Sequence, residues 1–199
     1  MRKLTIMAAL VVMASSVNAQ FNQSGGAGLI LGLGNVPKYV TFDADRPWFL
    51  TSTISYYPQF NIMESGNAAI SIGTPVSIGL STYEASSTAD EDGIMFLADL
   101  PVMVDLKLGT GSTRDNTSKY GFFFGAGFGY TYTTREYQYF NPSIGAVDQV
   151  KGVSYGPMTH IGVNFALGNN LHYFIRLHAK YGLESVNFKS FGLTTGIGL

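Results

Sequence analysis

The sequence predicts an all-β protein, an eight-stranded antiparallel up-and-down transmembrane β-barrel, and three observations carry that reading. Strict alternation of apolar with other residues recurs in eight segments. Those segments run to about ten residues or more, beyond the five or six usual in soluble sheets and close to the roughly 9 to 11 that cross a bilayer obliquely. The connections between them alternate between tight and long, as in barrels whose turns lie on one side of a membrane and whose loops lie on the other.

The chain opens with a secretory signal over residues 1–19. Arg2 and Lys3 form a positive start, Leu4 to Met13 an apolar stretch, and Val17-Asn18-Ala19 a small-residue cleavage site. About ten apolar residues are too few for a helical span, which needs roughly 20, so the segment reads as cleaved and the barrel domain as 20–199. The absence of cysteine excludes disulfides, thiolate metal sites, a catalytic thiol and a lipidated N-terminal cysteine. Loss of Arg2 and Lys3 moves the net charge from −1 to −3, without the basic clustering that nucleic acid requires. Only 13% of residues are charged, against about 25% in an ordinary soluble domain. No later stretch approaches 18 uninterrupted apolar residues, which removes helical spans.

The first strand is expected over Ala27 to Gly34, the second over Trp48 to Met63, and the third over Ala68 to Ser81. The fourth, Ile94 to Gly109, puts Phe96, Ala98, Leu100, Val102, Val104, Leu106 and Leu108 on one face and Asp99, Asp105 and Lys107 on the other. In the fifth, Tyr120 to Tyr132, the even positions make an aromatic face and the odd ones are mostly glycine. Tyr155 to Leu167 is the sixth. The seventh, Leu171 to Leu183, alternates an apolar face with a cationic one holding His172, Arg176, His178 and Lys180, and Val186 to Leu199 is the eighth. In a membrane barrel the apolar parity faces lipid and the other parity fills the lumen.

Tight connections follow strands two and six (Glu64 to Asn67, Gly168 to Asn170), and a moderate one, Thr110 to Lys119, follows strand four. Long ones, Asn35 to Pro47, Thr82 to Gly93 and Thr133 to Ser154, follow strands one, three and five; the short connection near Glu184 and Ser185 departs from that pattern. The pattern puts both termini on the periplasmic side. Pro58, Pro75, Pro101 and Pro157 fall within predicted strands, where a missing N–H predicts bulges or nearby strand ends.

The stretches Ile54 to Phe60, Leu100 to Leu106, Gly121 to Gly129 and Phe191 to Leu199 give the mature chain its resemblance to the small eight-stranded outer-membrane barrels typified by OmpX and the OmpA membrane domain, particularly those of Bacteroidota. The resemblance implies an integral outer-membrane monomer surrounded by lipid and lipopolysaccharide and inserted by the barrel-assembly machinery, with no cofactor and no nucleic-acid partner. Such barrels usually end on an aromatic residue; this chain ends on Leu199.

By parity Asp99, Asp105, Lys107, His160, His172, Arg176, His178 and Lys180 point inward. If the turn Gly168 to Asn170 sets the register, Leu167 faces Leu171 and His160 faces His178, and two imidazoles could share a metal or a proton. The plainer reading is a salt-bridged plug, because an eight-stranded interior is just wide enough for side chains and charges inside it must pair. Gly121, Gly125, Gly127, Gly129, Gly192, Gly196 and Gly198 either hollow a narrow channel or receive bulky neighbours such as Tyr57 and Arg176. No serine flanks a histidine at a two-residue spacing and no histidine falls in a loop, so the residues do not predict an enzyme. In the outer loops, Glu84, Asp90, Glu91 and Asp92 could bind divalent cations bridging lipopolysaccharide, and Tyr137, Tyr139 and Phe140 could contact a partner. The functional expectation is membrane integrity or surface contact through the loops. A narrow channel for small polar solutes is the alternative, and a soluble periplasmic ligand-binding barrel a further one.

Overall fold

The computed structural model describes residues 20–34, 48–83, 93–134, 137–141, 146–150, 152–168, 171–183 and 188–199. The signal segment and Glu84, Asp90, Glu91 and Asp92 lie outside them. The described strands are β1 (Phe21–Leu33), β2 (Trp48–Ser65), β3 (Ala68–Gly73), β4 (Val76–Tyr83), β5 (Gly93–Asp99), β6 (Val102–Gly109), β7 (Tyr120–Thr133), β8 (Tyr137–Asn141), β9 (Ala146–Val150), β10 (Val153–Gly168), β11 (Leu171–Tyr181) and β12 (Lys189–Gly198).

Ten of these strands form one antiparallel sheet, and β8 and β9 form a separate two-stranded sheet within the long connection Thr133 to Ser154. Ten strands stand where eight were expected because prolines interrupt two. A pyrrolidine nitrogen has no hydrogen to give the ladder, and the sheet opens between β3 and β4 at Thr74-Pro75 and between β5 and β6 at Leu100-Pro101. The register nevertheless runs straight through: β4 pairs Ser77 with Asp99, and β3 pairs Gly73 with Met103. Leu100 N donates to Tyr130 O at 2.8 Å, carrying the ladder past the second gap. Pro58 and Pro157 stay inside β2 and β10, opposite Gln23 and Phe128, with no shift.

The bulges fall elsewhere, between Asn61 and Met63 and between Ala166 and Gly168, beside the tight turns. There they add the twist that lets a strand turn back. The second bulge places Gly168, not Leu167, opposite Leu171, while His160 does face His178. Because β1 pairs with both β2 and β12, the sheet closes on itself; Leu29 faces Ser52 on one side and Leu193 on the other. Closure matters because lipid cannot satisfy an open row of N–H and C=O groups. β1 also starts six residues earlier than alternation suggests. The run Asn22 to Gly26 offers no apolar period, and ladders on both flanks hold it instead.

The burial pattern is the reverse of a soluble domain's. Ile54 is 69% exposed and Ile161 59%, whereas Thr51 and Ser71 are fully buried and Asp105 is 1% exposed. Aromatic side chains gather near both ends of the wall, as interfacial girdles do. Phe21 and Phe60, and Tyr120, Phe165 and Tyr173, meet at the turn end with ring centroids 5.0–6.4 Å apart. Exposed Trp48, Tyr132, Tyr155 and Tyr181 mark the opposite end. The interior is not wholly polar as expected. Ile30, Phe49, Met95, Leu97 and Phe188 form one apolar cluster, and Tyr57, Met103 and Met158 another.

Candidate functional site: the lumen and its polar levels

Period-two geometry sends alternate side chains of β2, β5, β6, β7, β10, β11 and β12 into the lumen, where they stack in levels. The level nearest the long connections is built on Asp99 at the end of β5. Thr131 Oγ1 donates to Asp99 Oδ1 at 2.5 Å, and Lys180 Nζ stands 4.0 Å from the same oxygen. That ammonium also donates to Thr131 Oγ1 and, at 3.2 Å, to Ser154 O. A cavity of about 20 Å³ adjoins this level, room for little more than a water.

The middle level is centred on Asp105. Tyr57 Oη donates to Oδ2 at 2.6 Å, and His160 Nε2 lies 3.0 Å from Oδ1. The imidazole is off the line a hydrogen bond needs, so both its nitrogens and Oδ1 lack a hydrogen-bond partner among the described residues. Tyr57 and Phe123 each meet the His160 ring edge-on, at 6.0 and 5.6 Å. The Arg176 guanidinium lies 5.3 Å over the Tyr57 ring and 5.6 Å over that of Phe174.

Below it, at the turn end, Lys107 Nζ donates to Asn61 Oδ1 at 3.4 Å. Asn61 Nδ2 donates to Glu64 Oε1 and to Ser112 O, each at 2.7 Å. The β6–β7 connection, 110–119, folds across this mouth. Ser112 is fully buried, Asn164 Nδ2 donates to Thr110 O at 3.0 Å, Thr113 Oγ1 to Gly66 O at 3.0 Å, and Arg114 N to Gln20 Oε1 at 2.9 Å.

Several glycines of the wall are seats for rings, and this decides whether the lumen is hollow beside them. A Cβ on Gly125 would land on Asp105 Oδ1 and the His160 imidazole, on Gly192 inside the His178 ring, and on Gly198 inside that of His172. Each of those rings faces its glycine directly across a strand pair. Phe49 covers Gly32 and Phe123 covers Gly162 in the same way. The occupants at these glycines are thus imidazoles and phenyl rings, while Tyr57, one of the neighbours expected from sequence, lies against Gly73 instead. Beside Gly129 come Lys180, Met158 and Pro101, at 3.0–3.7 Å from where a Cβ would stand.

All eight charged or imidazole residues expected inward therefore sit on the inner parity. His160 and His178 are cross-strand partners, but their rings lean over glycines on opposite flanking strands. Among the described residues no three of His, Asp or Glu gather as metal ligands. The sequence reading passed over Gln59, Asn61 and Thr131 and gave Tyr57 only as a neighbour of glycines, yet all four complete the levels. Their inward parity in Trp48 to Met63 and Tyr120 to Tyr132 was the available signal. Tyr137, Tyr139 and Phe140 fall in β8, outside the barrel wall.

No protein-family model matches the chain, and no curated protein matches it. Solved structures do. Neisserial surface protein A (NspA) is 12% identical, with 92% of this chain and 99% of that one aligned and a TM-score of 0.55. Ail, the attachment invasion locus protein of Yersinia pestis, is 9% identical over 90% and 99%, with a TM-score of 0.47. The outer membrane protein OprG from Pseudomonas aeruginosa is 12% identical over 89% and 93%, with a TM-score of 0.46. The superposition on NspA shows that the two chains share one barrel fold.

Proposed function

We propose that the protein is an integral outer-membrane barrel with both termini on the periplasmic side, and that it acts without catalysis by presenting its long connections at the cell surface, for contact or for membrane integrity. The observation that carries this reading is the combination of an apolar outer wall with an interior filled level by level, whose cavities near Asp99 and near Asp105 measure only about 20 and about 30 Å³. An apolar wall fits lipid and lipopolysaccharide as surroundings, with the barrel-assembly machinery inserting the chain. A filled interior supports a scaffold over the narrow channel, and the outward apolar face opposes a soluble ligand carrier. The strand sequences support kinship with the OmpX and OmpA type of Bacteroidota.

The test is refolding of 20–199 with and without micelles, followed by planar-bilayer recording. A heat-modifiable band only with micelles, together with silent bilayers, is expected. Replacing residues 135–151 by a short Asn-Gly turn should then abolish attachment of cells to host or abiotic surfaces while the band persists. Unitary conductance steps that shift when Arg176 is changed to Glu would overturn the scaffold reading in favour of a channel.

A further inference from the structure

The middle of the lumen contains a cation with no acceptor. Arg176 is 3% exposed, and its guanidinium lies over the faces of Tyr57 and Phe174; it has no hydrogen bond to, and no ion pair within 4.0 Å of, any described residue. A guanidinium carries five N–H donors, and these border a cavity with no acceptor among the described residues. Lys107, 5% exposed, has a single long bond of 3.4 Å to a neutral amide. Both side chains border the same cavity of about 30 Å³, together with Gln59, Asn164 and Asp105.

The charges there do not balance. Asp105 is the one buried carboxylate bordering that cavity, and it is already engaged by the Tyr57 hydroxyl and approached by His160. Asp99 belongs to Lys180, one level away. Arg176 and Lys107 thus share Asp105 as the one buried carboxylate at their cavity, beyond ion-pair distance of both, and Glu64 acts on Lys107 only from the exposed mouth. Gln59 Oε1 is also buried without a hydrogen-bond partner; that amide turned over would present N–H to the cavity, since its O and N are distinguished only by their neighbours.

From this geometry we infer that the cavity between Arg176 and Lys107 is a binding site for a small inorganic anion of halide size, which supplies the missing charge and accepts from the guanidinium. The volume suits one such ion with about a water beside it. The site stands on the lumen geometry alone and holds whatever the outer connections contact.

The experiment uses the refolded protein in detergent micelles, with bromide as probe. Crystals grown in sodium bromide should show an anomalous-scattering peak among Tyr57, Lys107 and Arg176, and the thermal midpoint should be higher in sodium bromide or chloride than in sodium gluconate at equal ionic strength. In Lys107→Gln the bromide concentration giving half the stabilisation should rise at least tenfold. Arg176→Gln should lose the salt-specific stabilisation entirely; if it does not fold, the peak in the unaltered protein and the Lys107→Gln titration decide. An empty lumen in bromide, identical midpoints in halide and gluconate, or a halide response unchanged in Lys107→Gln would overturn the assignment.

Discussion

Substitution of Gly192 by alanine tests whether the wall glycines are seats. The added methyl would fall inside the His178 ring, which is itself 8% exposed and packed against β12. The ring must leave its rotamer or β12 must shift, and overpacking of this kind costs about 1 to 3 kcal/mol. With a urea slope of roughly 2 kcal/mol per molar, a 2 kcal/mol loss lowers the midpoint by about 1 M. Trp48 is the sole tryptophan and lies on the outer face, so its emission follows the barrel without added labels. His178→Ala vacates the space, and Gly192→Ala added to it should cost nothing further. The cycle therefore yields a coupling of about 1 to 3 kcal/mol. Gly25→Ala is the control, because the nearest atom to its Cβ is Ser55 O at 3.8 Å. If Gly192→Ala unfolds with the unaltered midpoint, or if its cost persists in full when His178 is gone, the ring-seat account is wrong.

Three other outcomes follow from the same geometry. Asp99→Asn strips the carboxylate from the buried Lys180 ammonium and should cost about 3 kcal/mol or more in urea unfolding, with Asp99→Asn/Lys180→Met recovering much of the loss. Leu177→Arg puts a charge on the lipid face, where Leu177 is 55% exposed, and should destabilise the barrel in vesicles by about 2 to 4 kcal/mol; a cost equal in vesicles and in short-chain micelles would count against that orientation. Asn61→Leu removes the bonds to Ser112 O and Glu64 and should make the 110–119 connection sensitive to added protease while the heat-modifiable band survives.

Much of this was legible because a strand's period is fixed at two. Once Tyr120 to Tyr132 and Leu171 to Leu183 were read as strands, the inward set of β7 and β11 followed with no further information. The His160–His178 pairing was reachable too, because only a short turn separates β10 from β11. What could not be read is whatever depends on how far neighbouring strands are staggered around a closed cylinder. Tyr57 and Asp105 are 48 residues apart and meet only because β2 and β6 both pair with β3. The unmet guanidinium of Arg176 was equally hidden: parity states that a side chain points inward and says nothing of which groups reach it. The prolines were legible in part: strand ends fall beside Pro75 and Pro101, where a missing N–H opens the ladder without displacing it, whereas Pro58 and Pro157 stay inside unshifted strands.

The connection folded across the turn-end mouth bears on the timing of assembly. Residues 110–119 are tied to Gln20 at the start of β1, to Gly66 and Asn67 in the β2–β3 turn, and to Asn164 on β10, partners up to 94 residues distant. No partial sheet brings all of them together. The segment can settle only after the first, middle and late strands have met, so it behaves as a latch that fastens last and whose protection from protease reports a finished cylinder.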